Sequence, residues 1–302
     1  MKLPFKPLGL ALGAAAVAYA LVLLLTRPTP PQEVLRHLLS PSALLAAALC
    51  VLNYVLRGLR WRLWMAHFQR PLGLADGLRI YLAGYSFTPT PGNIGEAARG
   101  LLLAQRPLSA LQSLAIFGAE RLADLLALLL LTLPALFWLL VLPNIAGLPW
   151  LVGGLGLAGG LLAVVLLRAQ PSWLTRWAWL AQAWDCLRTQ PMRWFGLTLV
   201  AWAAQGLAVW LICQDMALPI GPLQATSLYA LAMVGGAVSM LPAGLGGTEA
   251  LLTGLLVLQG ASLATAVGIT VLVRLLTLWL AVAIGLLALL YSAAFRKDLS
   301  FR

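Results

Sequence analysis

Residues 87–100 read FTPTPGNIGEAARG, and residues 242–249 read PAGLGGTE. Each sets prolines, glycines and a carboxylate inside an apolar stretch of a chain that is 62% hydrophobic and only 10% charged. Aligned on these breakers, Pro89 falls on Pro242, Glu96 on Glu249 and Arg121 on Arg274, always 153 residues apart. In both copies the proline precedes the glutamate by seven residues and the arginine follows it by 25. The shared offset predicts an internal duplication with a helix-breaking segment in each copy. Irregular backbone at membrane depth is tolerated only where protein or water covers it. The breakers are therefore either solvent loops or working parts of a membrane protein.

Composition favours the membrane. A soluble domain averages about 45–50% apolar and about 25% charged residues, and several runs here approach the ~20 residues that span a bilayer. The expected class is an all-α polytopic membrane protein. The net charge of +11 raises nucleic acid as a partner. The cations lie between apolar runs, however, where the positive-inside rule puts them, and nucleic acid is set aside. Cys50, Cys186 and Cys213 have no metal-like spacing, and His37 and His67 stand apart. No disulfide framework, metal or cofactor is expected. At the N-terminus, Lys2 and Lys6 precede an apolar run that continues to Leu25. That is too long for a cleaved signal and reads as a retained first helix.

Full spans are expected near 8–26, 41–57, 110–133, 149–168, 194–213 and 262–290, the third continuing towards Val141 as an option. The stretches 76–105 and 222–259 are broken in the middle, and their arms of about 13–20 residues are mostly short for a crossing. Treated as re-entrant hairpins, they leave about six full spans. Three crossings then separate the hairpins, so residues 1–141 and 142–302 form inverted-topology repeats. With Lys2 and Lys6 inside, the inner segments carry most of the arginines, Arg57, Arg60, Arg62 and Arg70 among them. The outer segments carry only Arg27 and Arg36. This predicts both termini in the cytoplasm. Counting the hairpin arms as crossings raises the helix number. Between spans four and five, Trp173, Trp177, Leu180, Trp184 and Leu187 recur at spacings of four, three, four and three. That stripe predicts a helix lying in the cytoplasmic interface as an anchor.

The charges at depth mark the candidate site. Arg121 lies about eleven residues, roughly 16 Å, into its span, and Arg274 is similarly placed in the last. A charge at a helix centre costs at least about 2.5–3.5 kcal/mol, so partners are expected. Glu96 and Glu249 are the candidates, within each repeat or exchanged between repeats. Asn93 with Glu96 three residues on has capping-box spacing, and half-helix N-termini near Gly95 and near Gly246 and Gly247 suit an anion. Glu120 and Asp124 share a helix face beside Arg121. They either balance Arg99 and Arg121 or meet an amine or a proton. The pairs either lock the hairpins or line a polar path where Arg121 and Arg274 meet phosphate. The run RGLRWRLW at 57–64 is expected to be a positive-inside anchor or a headgroup collector.

The segments RGLRW, TPTPGNIGEAAR, ERLAD, LPAGLGGTEA and the arginine of LVRLL, taken in order, resemble the lysylphosphatidylglycerol synthase/flippase transmembrane family over nearly the whole chain. The resemblance implies a membrane part that translocates aminoacylated lipid, made in two-domain members by a soluble domain. With the sequence ending at Arg302, that soluble domain is not expected here. The expectation is therefore a stand-alone flippase-like protein of the bacterial inner membrane, not an enzyme. Its partner would be a membrane phospholipid or a polyprenyl-linked lipid. The alternative is an accessory subunit for a lipid- or glycan-modifying enzyme. An intramembrane transferase would rest on Glu96, Glu120, Asp124 and Glu249 alone.

Overall fold

The computed structural model describes residues 36–100, 103, 107–135, 154, 157, 161, 165, 176–238 and 244–295. The expected first span, all but four positions of the fourth, the extension towards Val141, Trp173, Pro242 and both charged termini lie outside the described residues.

The regular elements described are helical. Helix α1 runs Pro41–His67, started by the Ser40 hydroxyl, which accepts from the Ala43 amide, and by proline in the first turn. It ends where Gln69 turns left-handed (φ 58°) before Pro71. Helix α2 is Leu74–Ala83. Tight 3-10 turns follow at Gly84–Phe87 and Pro91–Gly100. Helix α3, Ala110–Thr132, begins with a reciprocal Ser109–Gln112 capping box. Helices α4 (Ala178–Arg188), α5 (Pro191–Asp215), α6 (Pro222–Val238) and α7 (Gly247–Leu258) come next. Helix α8, Leu263–Arg274, passes through a π turn at Leu275–Trp279 into α9, Leu280–Phe295.

Among the described residues, three helical runs are long and apolar enough to cross a membrane: Pro41–His67, Pro191–Asp215 and Leu263–Ser292. They coincide with the spans expected from 41, 194 and 262. Helix α3 has the length, at 23 residues. Glu120, Arg121 and Asp124 interrupt its apolar run, however. The molecule is a multi-pass α-helical membrane protein.

Helices α1 and α5 share the most extensive packing and run antiparallel. His37 meets Asp215, Asn53 donates to the Ala201 carbonyl, and Trp64 stacks near Trp194. His37 is therefore not isolated. The seam is lined by buried small residues, Ala43, Ala46 and Cys50 on α1 with Ala201, Ala204 and Ala208 on α5. Small side chains allow the close backbone approach that drives helix association in lipid. Exposed Leu44, Leu45, Val51 and Leu52 of α1 and Val200 and Leu207 of α5 give these helices an apolar outer face.

Three local expectations are corrected. Helix α1 does not stop at 57 but continues through the basic run, carrying Arg57 and Arg60 into the core at 8% and 0% exposure. They are neither a surface anchor nor a collector, because carboxylates on α3 neutralise them inside. No helix starts at Asn93. Gly92 and Asn93 both adopt left-handed backbone (φ 59° and 57°), and 3-10 turns continue to Gly100. Finally, α4 packs on α3, burying Ala183, Trp184, Cys186 and Leu187. Trp184 and Leu187 of the expected stripe therefore face protein, while Trp177 stays exposed.

Candidate functional site

The site forms where α1, α3, α5, the first broken segment and the π turn converge. Arg57 and Arg60 are three residues apart on α1 and so share a face. Asp124 of α3 receives both, Arg57 Nη2 at 2.7 Å and Arg60 Nη1 at 2.6 Å. The Trp202 indole N–H of α5 donates to the same carboxylate at 3.2 Å. The Arg57 guanidinium also lies over the Trp202 ring at 5.3 Å. Such crowding of donors balances the carboxylate's charge in the interior.

Glu96 is the second hub, 2% exposed. It accepts from the Thr88 hydroxyl at 2.8 Å, from Arg99 Nη2 at 2.8 Å and from Arg121 Nη2 at 3.4 Å. Arg99 reaches on to Glu120 at 3.3 Å and lies 4.5 Å from the Tyr81 ring centre. Arg121 also approaches Asp124 at 3.5 Å, which links the two hubs, and its side chain remains 31% exposed. Arg274 Nε donates to Glu249 at 2.7 Å. The Glu96–Arg121 and Glu249–Arg274 pairs thus both form, each across 25 residues.

Glycine geometry brings the first broken segment into place. A Cβ on Gly285 of α9 would fall 2.6 Å from the Ser86 amide nitrogen and 2.9 Å from the Leu82 carbonyl. Only glycine lets α9 lie directly on the bend that presents Glu96 and Arg99.

The cluster lines two clefts. One holds about 550 Å³ of empty space, its open mouth included, and is walled by Arg57, Tyr85, Glu96, Arg121, Gln205 and Arg274. The other, about 1110 Å³ on the same measure, is walled largely by Leu125, Leu128, Met233, Val234 and Ala237. Asn93, Arg121, Trp202 and Met233 border both. A polar chamber therefore adjoins an apolar groove, with the half-buried Arg121 at the boundary. Among the described residues, no group of three His, Cys, Asp or Glu side chains could hold a metal ion.

Of the residues expected from sequence, Glu96, Arg99, Glu120, Arg121 and Asp124 form one network. Glu249 and Arg274 form a separate pair, and Arg274 walls the same polar cleft. Asn93 faces both clefts, its buried Oδ1 without a hydrogen-bond partner. The backbone donors are corrected. The Gly95 amide donates to the Thr90 hydroxyl at 2.9 Å, and the Gly246 amide to Glu249 at 2.7 Å. Neither is free for an anion. Gly247 does begin α7, and its glutamate supplies the reach-back that the spacing promised at Asn93. Sequence reasoning missed Arg57 and Arg60 as members of the site. The available signal was their position in an unbroken apolar helix, three residues apart beside Asn53 and Tyr54.

No curated protein matches the chain. The lysylphosphatidylglycerol synthase TM region family matches residues 8–285, spanning every described helix but the end of the last. With its buried charge network set among membrane helices, the chain belongs to the family of the lysylphosphatidylglycerol synthase TM region.

Proposed function

We propose that the chain is a lipid translocase that carries an anionic or zwitterionic headgroup between leaflets while the tails stay in the bilayer. One observation carries the reading: a polar cleft walled by Arg57, Arg121 and Arg274 opens beside an apolar groove, with Arg121 on the wall of both. An amphiphile needs these two environments side by side. A headgroup charge in hydrocarbon is expensive unless partners replace its water.

The charge count points the same way. Among the described residues, five guanidiniums, Arg57, Arg60, Arg99, Arg121 and Arg274, stand against four carboxylates, Glu96, Glu120, Asp124 and Glu249. One excess cation in a low-dielectric site favours a bound anion such as a phosphodiester. The inverted repeat is part of this proposal. It is supported by the antiparallel α1–α5 pair, by the matched Glu–Arg pairs, and by α7. At 12 residues, capped at Gln259, α7 reaches only about 18 Å, short of the roughly 30 Å hydrocarbon core. A bacterial inner membrane with cytoplasmic termini is also part of the proposal, and the excess of arginines in the expected inner segments supports that orientation.

A second reading has its own observation. Every carboxylate of the network is already met by an arginine, as in a static lock. A membrane subunit that scaffolds a lipid- or glycan-modifying enzyme would have that property. Reconstitution of the purified chain in liposomes with fluorescent lipids separates the readings. Headgroup movement without a partner supports translocation. Activity only with a co-purifying enzyme supports the scaffold. Chemical conversion of the lipid would point to a transferase.

A further inference from the structure

The basic run at 57–64 is divided by the fold. Arg57 and Arg60 turn inward, whereas Arg62 faces a different groove at the end of the α1–α5 pair. That groove holds about 1140 Å³ of empty space, its open mouth included. Leu59, Arg62 and Leu63 line it from α1, Leu72 from the connection to α2, and Arg193 and Leu197 from the start of α5. None of its lining residues is acidic.

We propose that this groove is a binding site for an intact anionic phospholipid of the surrounding leaflet, separate from the central cleft. Its chemistry is that of an amphiphile with one negative headgroup: four leucines for the upper acyl chains and two arginines for the phosphate. Arg62 is held in place. Its Nε and Nη2 donate to the Leu72 carbonyl at 3.1 and 2.8 Å, and its side chain lies against Gly77, where an added Cβ would meet Arg62 Cδ at 2.6 Å. A guanidinium has five N–H donors, so further donors remain for a ligand. Arg193 is exposed, and its described hydrogen bond is one to Gln190 at 3.0 Å. Helix α5 begins here without a side-chain cap, which adds the positive end of its dipole to the two arginines. The groove lies at the ends of two helices that can cross the membrane, the level at which phospholipid headgroups sit. Charge complementarity and the leucine floor together select a lipid over a soluble anion. The proposal holds whether or not the central cleft moves lipid.

The test uses the full chain in mixed micelles with two photoactivatable probes, phosphatidylglycerol and phosphatidylcholine, carrying the same diazirine-bearing acyl chain. Crosslinked peptides are mapped by mass spectrometry. The phosphatidylglycerol probe is expected to mark residues 59–72 and 190–197 well above the phosphatidylcholine probe. Arg193→Gln should lower that yield about five-fold, the weight of one arginine near an anionic leaflet. Its lipid-free melting temperature should not change, since Arg193 is exposed. Arg62→Lys, which keeps the charge but loses the fork, should also lower the yield. Equal marking by the two probes would overturn the proposal. So would an undiminished yield in Arg193→Gln, or displacement of the probe by inorganic phosphate alone, which would make the groove a simple anion site.

Discussion

Asp124 shows how one carboxylate organises the interior. It neutralises two arginines from another helix and takes an indole N–H from a third. Asp124→Ala should therefore cost about 3–5 kcal/mol, because Arg57 and Arg60 would remain buried without their counter-ion. Asp76→Ala is the control. Asp76 pairs with Arg79 three residues on, but its side chain is 47% exposed, and such pairs contribute about 0–1 kcal/mol. Thermal unfolding of the detergent-solubilised variants by size-exclusion fluorescence checks the contrast. The Glu96–Arg121 and Glu249–Arg274 pairs were legible in the sequence, because glutamate and arginine recur at one offset in a background with few charges. The roles of Arg57 and Arg60 were not. Counting positive charge per segment assigns every arginine near a span end to the cytoplasm, and only the tertiary position of Asp124 reveals that these two turn inward.

At the scale of elements, the π turn after Arg274 stands out. Widening the helix frees backbone carbonyls, and the Tyr54 hydroxyl of α1 donates to those of Leu276 and Thr277 at 2.9 and 3.1 Å. Wide turns of this kind recur at functional sites. Tyr54→Phe should destabilise the protein by about 1 kcal/mol, the weight of a buried hydrogen bond, with Phe filling the same space. Gly285→Val should be worse, since the side chain meets backbone at Ser86 and Leu82 that cannot rotate aside. Limited proteolysis of the 84–100 segment should accelerate in that variant. The helix starts at Ser40, Ser109 and Ser262 follow from capping chemistry that a sequence displays. The 3-10 path of 91–100 does not: Gly92 and Asn93 tolerate left-handed backbone, but the turns that follow are fixed by side-chain to backbone bonds, the Gly95 amide to the Thr90 hydroxyl and Arg99 Nε to the Glu96 carbonyl.

Over the whole molecule, membrane class and three of the crossing helices were readable from apolar run length alone. The convergence of the charged residues was not, since it depends on how α1, α3 and α5 pack. Topology is open to direct measurement. Cys50, Cys186 and Cys213 are free and buried, and burial pushes the Cys186 thiol up to about 12. Native thiols should then label little at neutral pH, because thiolate is the reactive form. A single cysteine at Thr90 should resist an impermeant maleimide added from outside, while one at Ile145 should react. Equal labelling of both would make residues 76–105 a pair of crossings and overturn the proposed hairpin.

The most direct test of headgroup passage is the behaviour of Arg121→Lys and Arg274→Lys in fluorescent-lipid liposomes. Lysine keeps the charge that satisfies Glu96 and Glu249, so the fold should persist, but it loses the planar fork that grips phosphate. Both variants should purify with near-normal stability and move lipid headgroups at least about ten-fold more slowly than wild type, as expected for losing roughly 1.4 kcal/mol or more of recognition. Full movement in both lysine variants, or no movement of any lipid class by well-folded wild type, would contradict translocation through the arginine-walled cleft.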